Sequence, residues 1–205
     1  MLQYRNALLG GMIKVSPLLY TIQPLTPETW DDFERLVQKH NGVWGGCWCI
    51  WFHQSDEIKR GTAEENKALK KALVQQGRAH AALVYAEGEP VGWCQYGSPR
   101  ELPAIYHKKA VETADYVFPD WRITCLFIDK NHRGKGVAKT AVEGALELIR
   151  KAGGGVVETY PQNTEGHKIS SSFLYNGTQS LFESCGFEFV SHKGKNHCIM
   201  RKTVS

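Results

Sequence analysis

The sequence predicts one mixed α/β or α+β sheet domain, and three observations carry that prediction. Stretches alternating apolar and polar with period two, read as strands, are interleaved with stretches of period 3.6, read as helices. The chain has 205 residues with 42% hydrophobic and 22% charged, the balance of a single folded core. It carries no repeat, low-complexity tract or linker-like stretch. Residues 17–205 therefore read as one domain, and residues 1–16, an apolar patch broken by Gly10, Gly11 and Lys14, as a loosely held extension.

Each element has its own justification. "LLYTIQPL" is a first strand, after which Thr26 caps a helix that starts at Pro27 and carries Trp30, Phe33, Val37 and His40 on one stripe. "VWGGCWCIWFH" is too aromatic and too broken by glycine to be a plain helix or strand. "TAEENKALKKALVQQG" opens on a Thr62–Glu65 capping box and stops at Gly77, with Ala68, Leu69, Ala72 and Leu73 as its buried face and the lysines and glutamates of 56–71 in solvent. Two strands joined by a turn at Glu87–Pro90 follow, and residues 98–120 carry no readable pattern. "WRITCLFID" is a strand with Trp121, Ile123, Cys125 and Phe127 on one face and Leu126 and Ile128 on the other. A long helix then shows Ala138, Ala141, Val142, Ala145, Leu148, Ile149 and Ala152 on one stripe. "GGVVETYP" is a short strand, "NGTQSLFESCG" a helix, and the C-terminus a hairpin turning near Lys193–Asn196.

Composition excludes several functions. A net charge of +4, dispersed along the chain, is too weak for a nucleic-acid surface, and no apolar run is long enough to span a membrane. Six cysteines, scattered apart from Cys47 and Cys49, and no export signal predict reduced thiols in a cytoplasmic protein.

The chemistry concentrates where "WRITCLFID" meets the long helix, at Arg133-Gly134-Lys135-Gly136-Val137-Ala138. The first turn of a helix leaves its N–H groups unpaired and carries roughly half a positive charge. Glycines let backbone approach an anion closely, and Arg133, Lys135 and Lys139 add charge-assisted contacts. The P-loop spacing is absent, and Lys139 stands where a dinucleotide motif needs its third glycine. Taken by itself the turn is either an anion site or an exposed left-handed cap with solvated lysines.

Its flanks are more specific. "CLFIDKNHRGKGVAKTAVEGALELI" resembles the acetyl-CoA-binding segment of the GNAT N-acetyltransferase superfamily, whose Arg/Gln-x-x-Gly-x-Gly/Ala signature is filled by Arg133, Gly136 and Ala138. "SLFESCGFEFV" is similar to that family's last helix-to-strand segment, so the likeness covers about residues 121–190. The resemblance implies a GNAT-type mixed, mostly antiparallel sheet flanked by helices, with a splayed strand pair at the acetyl-CoA site. It implies direct transfer of an acetyl group from acetyl-CoA to an amine. The pantetheine arm would lie along Phe127 and Ile128, with a nearby N–H polarising the thioester, and the pyrophosphate on Arg133–Ala138.

Glu158 is then the candidate general base, and Tyr160, one pleat on, would orient the acceptor; a solvent-facing edge glutamate is the competing reading. The family's usual acid, a tyrosine, is replaced by Phe182, which leaves Tyr175 or water to protonate the departing thiolate. Tyr175 also stands where the family has a helix asparagine, with Asn176 beside it. Trp44, Trp48 and Trp51 are the expected acceptor walls, able to hold an apolar amine or a cation. No metal is expected, since Cys47, Cys49 and His53 provide only three ligands at the wrong spacing. The expected partners are a small-molecule or peptide amine, with a homodimer left open and neither nucleic acid nor membrane involved. The alternatives are a coenzyme A-binding regulatory module without turnover, and a thiol or metal module built on Cys47 and Cys49.

Overall fold

Among the described residues seven strands make one sheet, in which the first five lie side by side in chain order and the seventh comes between the fifth and the sixth. The computed structural model describes residues 20–112, 115–164 and 174–205; the extension expected at 1–16 lies outside them. In chain order the elements are β1 (Tyr20–Pro24), α1 (Trp30–Lys39), α2 (Ala63–Gln75), β2 (His80–Ala86), β3 (Glu89–Gly97), α3 (Lys108–Val111), β4 (Trp121–Ile128), α4 (Val137–Lys151), β5 (Gly155–Thr159), α5 (Gln179–Ser184), β6 (Glu188–Lys193) and β7 (His197–Val204). Every neighbouring pair is antiparallel except β4 and β5. That parallel pair needs the long crossover that α4 provides.

Two layers cover the sheet. α4 packs Val137, Ala141, Val142, Ala145 and Ile149 onto one face, against Ala82, Cys94, Ile123 and Val157. On the other face α1, α2 and the aromatic loop bury Trp30, Phe33, Trp48 and Ile50 against Leu83, Trp93, Cys125 and Phe127. Among the described residues no helix is long and apolar enough to cross a membrane.

Four local expectations change. The first helix starts at Trp30 with Thr29 as its cap, because Thr26–Thr29 closes a turn of its own: the Thr26 N–H donates to Thr29 Oγ1 at 2.9 Å. The capping box of α2 forms as read, but its buried residues are Asn66, Lys70, Leu73 and Val74, and Ala68 is exposed. Asn66 and Lys70 tolerate burial because their polar atoms are bonded, Asn66 to the carbonyls of Gly46 and Gly61. α4 stops at Lys151, and Ala152 caps its last turn through its N–H while its side chain stays exposed.

The fourth change matters for function. Cys94 faces Leu126 and Tyr96 faces Ile123, so β4 spends two residues, Thr124 and Cys125, where β3 spends one. That bulge reverses the alternation. Trp121 and Ile123 pack beneath α4 together with Leu126 and Ile128, whereas Cys125 and Phe127 turn to the aromatic layer.

Candidate active site

The bulge begins just past the last residue that β4 pairs with β5, whose final residue is Thr159. Pairing between them runs only from Trp121 with Val157 to Ile123 with Thr159, although β4 continues to Ile128. A cleft of about 470 Å³ opens beyond, lined by Phe127, Ile128, Arg133, Ala138, His40, Trp44 and the 174–181 segment. The Leu126 N–H on the freed edge donates to the Tyr175 carbonyl at 2.7 Å.

At one end of the cleft lies the glycine turn. Gly134 and Gly136 have φ of +71° and +82°, left-handed values that a side chain would strain. No side chain caps α4, and its first turn holds no acidic residue, so the helix presents bare N–H groups from Gly136 onward. Arg133 lines the cleft, its Nε donating to the Ile128 carbonyl at 3.3 Å, while Lys135 is exposed and its carbonyl accepts from the Tyr20 hydroxyl.

Asp129 fixes the approach to this turn. Fully buried, it accepts from Lys39 Nζ at 2.6 Å and the Asn131 N–H at 2.9 Å, and lies 3.3 Å from His40 Nε2. Burial opposes its charge, but these donors outweigh burial and hold the carboxyl well below its usual range. His40, turned over the Phe127 ring at a centroid distance of 4.9 Å, joins the lining of the cleft.

Beside the cleft, and sharing Trp44 with it, is a second cavity of about 180 Å³. Trp44, Trp51, Phe52, Tyr106, Tyr175, Cys47, Cys125 and Arg60 line it. Trp51 stacks on Tyr106 with centroids 3.8 Å apart, and Trp44 meets Tyr175 edge-on. Burial, followed by the neighbouring Tyr106 phenol, pushes the Tyr175 hydroxyl up, so it keeps its proton at neutral pH.

The remaining expected residues sit elsewhere. Trp48 is buried in the core, stacked on Trp30 at 6.3 Å, and lines neither cavity. Glu158 and Tyr160 also line neither. Glu158 is fully buried between Arg122 and Arg201, its partners across the sheet. Both its oxygens are taken, one by the hydroxyls of Tyr116 and Tyr160 and the other by Arg201 Nε at 2.7 Å. Phe182 is buried against Phe187 and has no proton to give. Among the described residues no group of three or more metal-ligating side chains forms, around Cys47 and Cys49 or elsewhere.

A strand leaving its parallel neighbour at a bulge, directly before an uncapped Arg-x-x-Gly-x-Ala turn, is the geometry that the sequence resemblance implied. The model of the acetyltransferase (GNAT) family matches residues 48–169, more than half of the chain. The chain belongs to the GNAT acetyltransferase family. Solved structures share the fold at low identity. An acetyltransferase related to the histone acetyltransferase HPA2 from Corynebacterium glutamicum matches with a TM-score of 0.55 at 18% identity, covering 91% of this chain and 97% of its own. A GNAT-family protein from Desulfovibrio desulfuricans matches at 0.51 and 13%, covering 91% and 100%. The PaiA N-acetyltransferase of Thermoplasma acidophilum, solved with coenzyme A, matches at 0.51 and 14%, covering 91% and 99%. No curated protein gives a significant sequence match.

Within this GNAT domain, the residues that sequence reading missed are His40, Asp129, Arg60, Tyr106 and Cys125. Only folding brings them together. Tyr106 lies in the patternless 98–120 stretch, Asp129 read as a strand end, and Cys125 as an ordinary core residue on the wrong face.

Proposed function

We propose that the protein transfers an acetyl group from acetyl-CoA to an amine. The observation that carries this reading is the parting of β4 from β5 just before the uncapped turn that opens α4. The residues present fit the cofactor: bare amides and Arg133 at one end for a diphosphate, and an apolar groove on Phe127 and Ile128 for an extended arm. When bound, acetyl-CoA supplies an acyl carbonyl already activated as a thioester.

Gly134, Lys135, Gly136, Val137 and Ala138 hold the anion through backbone, and Arg133 and Lys135 through charge. On the edge of β4 beyond its pairing with β5, the Leu126 N–H is taken by the Tyr175 carbonyl, which ties Tyr175 to the strand that lines the cleft. Tyr175, protonated and set between cleft and aromatic cavity, is the proton donor to the departing thiolate, the role that Phe182 cannot take. Trp44 and Trp51 wall the acceptor. Glu158, with every oxygen committed, supports the sheet as a positioning residue, and Tyr160 holds it there.

A second reading, coenzyme binding without turnover, draws on buried Phe182; the aromatic cavity opening beside the cleft favours turnover instead. Following free thiol across an amine panel tests the proposal. Thiol release that depends on one class of amine supports it, whereas tight acetyl-CoA binding with no release for any amine supports the binding module.

A further inference from the structure

The loop that carries Trp44 runs left-handed. Every residue from Asn41 to Gly46 has φ between +44° and +76°. Asn41, Val43 and Trp44 bear side chains there, and the conformation is costliest for β-branched Val43. Bonds across the turn hold it: the Gly42 N–H donates to the Val37 carbonyl at 3.0 Å and the Cys47 N–H to the Val43 carbonyl at 2.9 Å. Backbone strain that the surroundings maintain gathers at binding sites. Here it sets Trp44 as the wall between cleft and aromatic cavity, 5.8 Å from the Phe127 ring and 6.1 Å from that of Tyr175.

The same loop anchors a cation. Buried Asn66 accepts from the Gly61 N–H at 3.0 Å and donates to the carbonyls of Gly61 and Gly46 at 3.1 and 2.8 Å, which ties the backbone beside Arg60 to the left-handed turn. Arg60 and Tyr106 line the aromatic cavity yet are exposed, so they form its mouth, whereas Trp44 is half-buried where the cavity adjoins the cleft. The Arg60 guanidinium spends little of its fork of donors. One N–H reaches the Gly45 carbonyl at 3.4 Å, and among the described residues no carboxylate pairs with it. No acidic side chain lines the cavity or the cleft.

This lining selects among amines. A polyamine or a lysine-rich peptide would bring further positive charge to Arg60 and find no anion to offset it. A carboxylate matches the planar fork at the mouth, and an apolar side group matches the aromatic rings within. At about 180 Å³ the cavity is also smaller than the usual ligand pocket of roughly 300–1,000 Å³, so it suits a small molecule.

We propose that the acceptor is the α-amine of a free amino acid with an apolar or aromatic side chain, its carboxylate held by Arg60 and its side chain by the cavity walls. This rests on the acetyl-CoA reading above and names its substrate. The neutral amine nitrogen forms a bond to the acetyl carbon, and the carbon–sulfur bond to coenzyme A breaks. Tyr175 protonates the leaving sulfur, and the proton that the nitrogen sheds restores Tyr175.

The test follows thiol release by the full chain at saturating acetyl-CoA with leucine, phenylalanine, leucinamide and phenylalaninamide, the N-acetyl products being identified by mass spectrometry. Each amide keeps the shape of its acid and loses only the charge. The free acids should exceed their amides in kcat/KM at least about 10-fold, the low end for a hydrogen bond to a charged group. Arg60→Gln should abolish that preference by raising the KM for the acids, and Arg60→Lys, which keeps the charge without the fork, should restore part of it. A preference for the amides or for spermidine, or an equal loss with acids and amides in Arg60→Gln, overturns the proposal and leaves the transferase reading standing. Calorimetric binding of acetyl-CoA with no thiol release for any amine overturns both.

Discussion

Replacing Gly136 separates charge from shape at the turn. Gly136 sits at φ +82° with open space where a Cβ would stand, so a substituent meets backbone strain but no neighbouring atom. Asn and Asp have nearly the same shape, and both tolerate the left-handed region better than other side chains. Both variants therefore share the strain, about 1–2 kcal/mol against folding, and differ in one charge. A carboxylate about 4 Å from a phosphate oxygen meets a repulsion of about 4 kcal/mol at an effective dielectric of about 20. Gly136 is exposed and salt screens the pair, which halves that figure to about 2 kcal/mol. Gly136→Asp should therefore bind acetyl-CoA roughly 30-fold more weakly than Gly136→Asn in isothermal calorimetry. High salt should narrow the gap. Equal affinities for the two variants would refute a diphosphate in this cradle.

Other consequences follow from where side chains lie. Trp51→Ala should raise the KM for the amine and leave that for acetyl-CoA unchanged, whereas Trp48→Ala should lower folding stability by about 3–5 kcal/mol in a denaturant titration; an acceptor-specific effect at Trp48 would contradict its place in the core. Tyr175→Phe should slow turnover roughly 100-fold with acetyl-CoA affinity retained, measured by thiol release and calorimetry. Glu158→Gln should cost about 1–3 kcal/mol of stability, because the amide cannot accept from Arg201 and from the Tyr116 and Tyr160 hydroxyls on both sides as the carboxylate does, while the pH–rate profile keeps its shape; a lost basic limb would return Glu158 to the role of general base. His53 is held well below the ordinary histidine range, first by burial and then by Lys70. A base with a lowered folded pKa stabilises fully above its unfolded value, and that stability fades as pH falls below about 6.5, by at most about 1.4 kcal/mol per pH unit. The thermal midpoint should thus drop on acidification through that range, and His53→Gln should flatten the slope.

Much of this architecture was legible in the residues. The capping box of α2, the apolar stripe of α4 and the terminal hairpin are local patterns, set by hydrogen bonds a few residues apart. The glycine turn is local too, which is why Arg133–Ala138 stood out before any fold was known. The bulge in β4 is different. Its extra residue is defined by the partner strand, so strict alternation placed Cys125 and Phe127 with Ile123 although they face opposite layers. Lys70 shows the same limit from the other side. A lysine among lysines reads as solvated, and only the polar groups that His53 and Gln95 bring from distant segments make its burial tolerable. Glu158 was read as either exposed or catalytic. Instead Arg201, forty-three residues on, takes its charge.

Backbone amide NMR of the wild-type chain titrated with coenzyme A tests the central claim most directly. The account predicts the largest shifts at Gly134, Gly136, Val137 and Ala138, joined by Phe127 and Ile128 on the freed edge of β4. Saturable binding that leaves those amides unmoved, or that perturbs another face of the sheet, would contradict it.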